Sequence, residues 1–248
     1  MVKGIDAFRE YFENYEDQYV LIGGAACDIL FKSKDISFRA TRDLDLVLII
    51  EALTPEFGER LWEFINDGKY RNKAVNGGDP QFYRFDKPED ITFPKMIELF
   101  CRKDFELRNA NGISPIHIDD EVSSLSAILL DDDYYQALID GKAIIEGLSV
   151  LRPEYLILFK AKAYLDLKRR KENGENVDVS DVRKHKKDIL RITAEIVLET
   201  VSDLPCSIQK DISAFIDSLE QEPFDRNLLK EYGLSNEMAV ELLKRVYR

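Results

Sequence analysis

Cysteine, histidine and tryptophan are scarce in this 248-residue chain, which holds three, two and one of them. Cys27, Cys101 and Cys206 are odd in number, far apart and set in apolar segments, so neither a disulfide framework nor a zinc site is indicated, and all three read as buried thiols. No uninterrupted apolar run approaches the roughly 20 residues that cross a bilayer. Residues 1–13 scatter Lys3, Asp6, Arg9 and Glu10 among apolar positions and lack the continuous apolar core of a signal peptide. The expectation is a cytoplasmic protein with no membrane partner. Positive charge is in deficit: the net charge of −12 argues against nonspecific nucleic-acid binding. Repeats and low-complexity tracts are missing too. What remains, 45% hydrophobic and 33% charged residues, is the composition of an ordinary soluble protein of one or two domains with at least one sizeable core.

The charge is uneven. Residues 152–191 carry twelve Lys or Arg against seven Asp or Glu, a local +5 that leaves −17 on the rest. Periodicity divides the chain in a similar way. The first part reads as mixed α and β: a helical stripe over residues 3–16 (Ile5, Phe8, Tyr11, Phe12, Tyr15), a strand at 19–22, a helix from the glycines through 25–31, and a strand at 43–50. Thr54-Pro55 then supplies the N-cap and first turn of a helix whose inner face is Phe57, Leu61, Trp62 and Ile65. Strands are expected at 81–85, 95–101 and 113–118. From residue 122 onward helical periodicity dominates, apart from short β-prone runs at 143–151. Arg152-Pro153-Glu154 begins a strong helix to about 171, a Gly/Asn/Asp-rich loop follows, and further helices run to the end. The expected organisation is an α/β core over 1–121 and a mainly helical domain over 122–248.

The chemistry concentrates between Leu21 and Ile50. Gly23-Gly24 closes an apolar strand. Such a pair is commonly a plain turn into a helix, yet backbone amides without an intervening Cβ, at a helix N-terminus, also approach a phosphate closely. Further on, Thr41-Arg42-Asp43-Leu44-Asp45-Leu46-Val47-Leu48 opens a strand. Side chains alternate faces, so Asp43 and Asp45 share one side and Leu44, Leu46 and Leu48 the other. Two anions entering an apolar strand need a cation between them, and a hard, oxygen-seeking ion such as magnesium suits the pair. One or two such ions are expected, bridging protein and triphosphate. A third carboxylate from a neighbouring strand would complete the group, and Glu98, isolated in Lys95-Met96-Ile97-Glu98-Leu99-Phe100-Cys101, is the candidate, as metal ligand or general base. Arg39, Thr41 and Arg42 precede the acids and are either solvated or phosphate contacts.

Downstream, Lys160 lies inside a helix that is apolar nearly all round and shares its stripe with Leu156, Ile157, Ala163 and Tyr164. An inward lysine wants an anion, either a structural acid or a nucleotide phosphate. Asp188, just before Ile189-Leu190 in the next helix, is placed to pair with it; Lys162 reads as a surface residue.

Taken together, these residues resemble the nucleotidyltransferase fold of the polymerase beta type: a paired glycine, a helix, TRDLDLVL and a later strand acid. The segments LILFKAKAYLDL and KHKKDIL are similar to the lysine and aspartate motifs of the AbiEii/AbiGii group, the nucleotidyltransferase-like toxins of type IV toxin-antitoxin systems. The likeness spans Leu21 to about Leu190. It implies an α+β fold, a mixed sheet with flanking helices followed by a mainly helical C-terminal domain. It also implies magnesium-dependent transfer of NMP from an NTP to an RNA such as tRNA, a protein or a small molecule, with an antitoxin protein as partner. By position, Gly23 and Gly24 would hold the triphosphate, Asp43, Asp45 and Glu98 would bind metal, and Lys160 with Asp188 would form the downstream pair. The chain departs from the pattern twice, with Gly24 where the group often has serine and Glu98 where it commonly has aspartate. Both departures leave room for a second reading, an inactive nucleotide- or partner-binding module of the same fold.

Overall fold

Tyr19–Ile22 is apolar at all four positions and forms β1, buried along its whole length. The structure, a computed structural model, describes residues 2–41, 43–74, 80–100, 105–109, 112–116 and 131–248. It separates into two compact units, Met1–Val122 with Lys142–Leu151, and Ser123–Gly141 with Arg152–Arg248.

In the first unit, helix α1 (Ile5–Tyr11) precedes β1, and α2 (Gly23–Lys32) follows it directly. β2 (Asp43–Leu48) leads into α3 (Pro55–Asp67), whose cap is the expected one: the Thr54 hydroxyl accepts from the Phe57 amide and Pro55 occupies the first turn. Strands β3 (Arg71–Ala74), β4 (Pro80–Asp86) and β5 (Met96–Phe100) come next, then β6 (Phe105–Asn109) and β7 (Gly112–Ile116), which among the described residues pair with each other in a two-stranded sheet. β8 (Lys142–Ile145) and β9 (Leu148–Leu151) form a hairpin that joins the main sheet. That sheet has seven strands in the order β3-β4-β5-β2-β1-β9-β8. β2 runs antiparallel to β1 and parallel to β5, and β1 runs parallel to β9. The molecule is therefore α+β, with a mixed open sheet and flanking helices. The expected strands at 81–85 and 95–101 correspond to β4 and β5, and that at 113–118 to β7, its last two residues, like Cys101, lying outside the described residues.

The core of this unit is aromatic. Phe8 stacks on Phe12 with ring centroids 4.4 Å apart and meets Tyr19 and Phe64 edge-on at 5.3 and 5.7 Å. Each fully buried phenylalanine contributes roughly 1.5–3 kcal/mol of apolar transfer, so α1 and α3 are anchored by these rings. Phe64 is fully buried, whereas Trp62, expected on the inner face, is half-buried and packs edge-on against Phe85 at 6.0 Å. The indole lies on the flank of the stripe because Phe57, Leu61, Phe64 and Ile65 already fill the buried face.

The described elements of the second unit are helices: α4 (Asp132–Gly141), α5 (Pro153–Glu172), α6 (Val179–Glu195), α7 (Cys206–Gln221), α8 (Arg226–Glu231) and α9 (Asn236–Val246). α5 is buried from Glu154 to Ala161 without a break, as its all-round apolar sequence requires. Asp178, Asp225 and Ser235 cap α6, α8 and α9 through their side-chain oxygens. Cys27 is buried as expected, but Cys206 is exposed: it opens α7 immediately after Pro205, at the helix end rather than on its apolar face. Among the described residues no helix is long and apolar enough to cross a membrane.

Candidate functional site

The site in the first unit is built where β1 ends and β2 begins. Antiparallel pairing sets Ile22 opposite Asp45, so the chain leaves β1 into α2 beside the second acid of the pair. Gly23 turns the chain with φ +66°, a left-handed conformation in which a side chain is strained. Its position is also spatially fixed: a Cβ on Gly23 would lie 1.9 Å from Asp45 Oδ2 and 2.9 Å from its Cγ. The Asp45 carboxylate thus rests on the bare α-carbon of Gly23. Gly24 has a similar neighbour, since a Cβ there would lie 2.6 Å from Thr41 Oγ1 and 3.5 Å from Arg39 Nη2. Both glycines are accordingly needed for space, and Gly23 for conformation as well.

The first turn of α2 contains no acid, and its N-cap, Ile22, makes no side-chain cap. The leading amides of this ten-residue helix therefore present positive partial charge to the place where Asp45, Thr41 and Arg39 converge. The Arg39 guanidinium also lies over the Phe38 ring, 5.2 Å from its centroid. Arg42 falls outside the described residues.

Asp43 and Asp45 are half-buried on one face of β2, while Leu44, Leu46 and Leu48 are fully buried on the other. Two residues of strand separate the carboxylate-bearing positions by about 7 Å. At an effective dielectric near 20, like charges at that spacing repel by about 2 kcal/mol. The parallel register sets Glu98 of β5 directly beside Asp45, so the three acids occupy one face of two adjacent strands. A cation follows in the same row: Arg84 of β4 is the register partner of Glu98, and its Nη2 forms an ion pair with Glu98 Oε1. Both side chains of that pair are largely shielded, 28% and 16% exposed. Arg84 Nε is buried with no hydrogen-bond partner.

Arg84 did not stand out in the sequence. A single arginine in the run 81–85 gives no sign that the β4–β5 register will set it against the acid. Its presence bears on metal binding. Among the described residues no group of three or more His, Cys, Asp or Glu is arranged to hold an ion. Magnesium, however, takes one or two protein carboxylates and fills its remaining positions with water and substrate phosphate. Asp43 and Asp45 fit that requirement; Glu98 is committed to Arg84. No family model, curated protein or solved structure matches the chain.

The two downstream residues belong to the second unit. Lys160 of α5 and Asp188 of α6 form an ion pair at 2.8 Å, with side chains only 6% and 3% exposed. Of the alternatives open to an inward lysine, a structural acid is therefore the one observed. Lys162, expected on the surface, is half-buried: its ammonium pairs with Asp211 at 2.6 Å and lies 5.5 Å from the Tyr134 ring centroid. Tyr134 donates to the same carboxylate, and burial with that neighbouring charge pushes its phenol well above the usual range.

Proposed function

We propose that the chain is a magnesium-dependent nucleotidyltransferase that moves NMP from an NTP to a hydroxyl or phosphate of an RNA, protein or small-molecule acceptor. The observation that carries this reading is the seating of Asp45 on Gly23, at the uncapped start of α2, beside Thr41 and Arg39. An anion-binding helix terminus and a pair of metal-binding carboxylates thereby face one small region. In the reaction the acceptor oxygen bonds to the α-phosphorus, the bond from that phosphorus to the pyrophosphate oxygen breaks, and the acceptor proton is lost. The amides of Gly23 and Gly24, with Arg39 and Thr41, hold the phosphates in line. Asp43 and Asp45 would hold the ion, which would supply neutralisation of the charge developing on the phosphates. Glu98 is the proton acceptor, oriented by Arg84. Catalysis of this kind rests on position and charge, with no covalent intermediate on the protein.

Purified protein incubated with labelled NTPs, magnesium and cellular RNA is expected to transfer label and release pyrophosphate. Asp43→Ala with Asp45→Ala is expected to abolish transfer. Failure with every NTP and acceptor class, or transfer that survives the double substitution, would sink the reading. The toxin role belongs to the same proposal: induced expression should arrest growth in wild-type form and not in the doubly substituted one.

The Arg84–Glu98 ion pair favours one alternative, a nucleotide-binding module without turnover, because it engages the third acid. Calorimetry separates the two, since binding of NTP and magnesium without pyrophosphate release supports the module.

A further inference from the structure

A pocket of about 530 Å³ opens in the second unit between the C-terminal half of α5, the first turns of α6 and the segment joining α7 to α8. That volume lies within the range of pockets that enclose small organic ligands. The lining has two characters. Tyr164, Leu190 and Phe224 are buried side chains that form an apolar floor, extended by Val182 and Leu228. Lys171, Arg183 and Lys187 stand exposed around it and make no ion pair among the described residues.

Between floor and rim lies a structured polar wall. Glu222 accepts from the Tyr164 hydroxyl at 2.7 Å and pairs with Lys168 at 3.0 Å. Lys186 donates to the Glu222 carbonyl and lies 5.6 and 5.9 Å from the Tyr164 and Phe224 ring centroids. Desolvation lowers its pKa, as expected for an ammonium drawn half into an apolar wall. Glu222 therefore engages Lys168 and Lys186 and leaves the three rim cations to whatever enters. Five cations and three acids line the pocket, a local excess of two positive charges in a protein whose net charge is −12.

We propose that this pocket binds a small amphipathic anion, its apolar or aromatic body on the Tyr164–Leu190–Phe224 floor and its carboxylate or phosphate held by Lys171, Arg183 and Lys187. The charge complementarity selects against neutral and cationic apolar molecules, and the apolar floor, which bare inorganic anions leave unfilled, selects against them. The assignment uses no residue of the glycine and carboxylate site and stands whether or not that site turns over.

Anilinonaphthalene sulfonate, an aromatic anion whose fluorescence rises in apolar surroundings, is the probe. The full chain is expected to bind it saturably at one site, more weakly as salt is raised. The triple variant Lys171→Glu, Arg183→Glu, Lys187→Glu alters only exposed positions, and its fold is checked by circular dichroism. It should weaken binding by about tenfold or more, as reversal of three rim charges implies. Laurate and AMP serve as competitors: displacement by laurate identifies an acyl carboxylate as the ligand type, displacement by AMP a nucleotide. Binding unaltered in the folded triple variant, or displaced by neither competitor, overturns the proposal. Asp45→Asn should leave probe binding unchanged, and loss of binding in that variant would also refute it.

Discussion

Replacing Gly23 with alanine imposes two separable penalties on the first unit. The φ of +66° puts an L-residue in the left-handed region, which costs roughly 1–2 kcal/mol. The new methyl also falls 1.9 Å from Asp45 Oδ2, so the carboxylate must move, an overpacking cost of about 1–3 kcal/mol. Together Gly23→Ala should destabilise the unit by roughly 2–5 kcal/mol. In an Asp45→Ala background the colliding oxygen and Cγ are gone and the nearest remaining atom is the Asp45 Cβ, at 3.3 Å, which a small adjustment accommodates. The second penalty then vanishes and the first persists, giving a coupling of about 1–3 kcal/mol in the double-mutant cycle. The single tryptophan, Trp62 in α3, makes urea unfolding followed by its fluorescence a report on this unit. If Gly23→Ala and Asp45→Ala add within about 0.5 kcal/mol, the carboxylate does not rest on the glycine and the site's geometry is refuted.

Lys160→Met is expected to destabilise the chain by about 3–5 kcal/mol, because it leaves the Asp188 charge buried and unpaired. Adding Asp188→Leu should restore most of that loss in thermal unfolding followed by circular dichroism, and a double variant as unstable as the single one would contradict the ion-pair reading. Hydrogen bonds from Tyr164 and Lys168 hold the Glu222 carboxyl below its ordinary 4.5. A depressed carboxylate contributes stability that is fully present above that value and is lost as pH falls through the folded-state pKa, so Glu222→Gln should lower stability near neutrality, where that contribution is present, and flatten the acid limb below pH 4.5, the two proteins converging at low pH. An acid limb identical to wild type would rule that out.

The parts of the molecule read correctly from the sequence are those set by local periodicity and local turn chemistry. Alternation alone places Asp43 and Asp45 on one face of β2, and Gly23-Gly24 marks the junction of strand and helix. The apolar stripe on α5 likewise places Lys160 inside, and Asp188 as its partner. What escaped notice depends on contacts between distant segments. Arg84 meets Glu98 only through the β4–β5 register, and register is a tertiary property. Arg71–Ala74 and Phe105–Asn109 are short, charged strands held by their neighbours rather than by their own β-propensity. Cys206 sits beside apolar residues in sequence but outside their face in the helix, and Trp62 lost the interior position to Phe64.

The return of residues 142–151 to the sheet has a consequence for the order in which the protein can be completed. β1 is flanked by β2 on one side and β9 on the other, with Leu21 in register with Val150. On a ribosome, β1 and β2 emerge together, whereas Val150 follows Leu48 by 102 residues. At synthesis rates of about 5–20 residues per second, the outer edge of β1 waits roughly 5–20 s for its partner. Throughout that interval a fully apolar strand offers unpaired amides and carbonyls to any neighbouring chain. The nascent sheet is therefore most vulnerable to misassembly after the carboxylate pair has been made and before the hairpin arrives, and a chaperone that shields strand edges would act in that window.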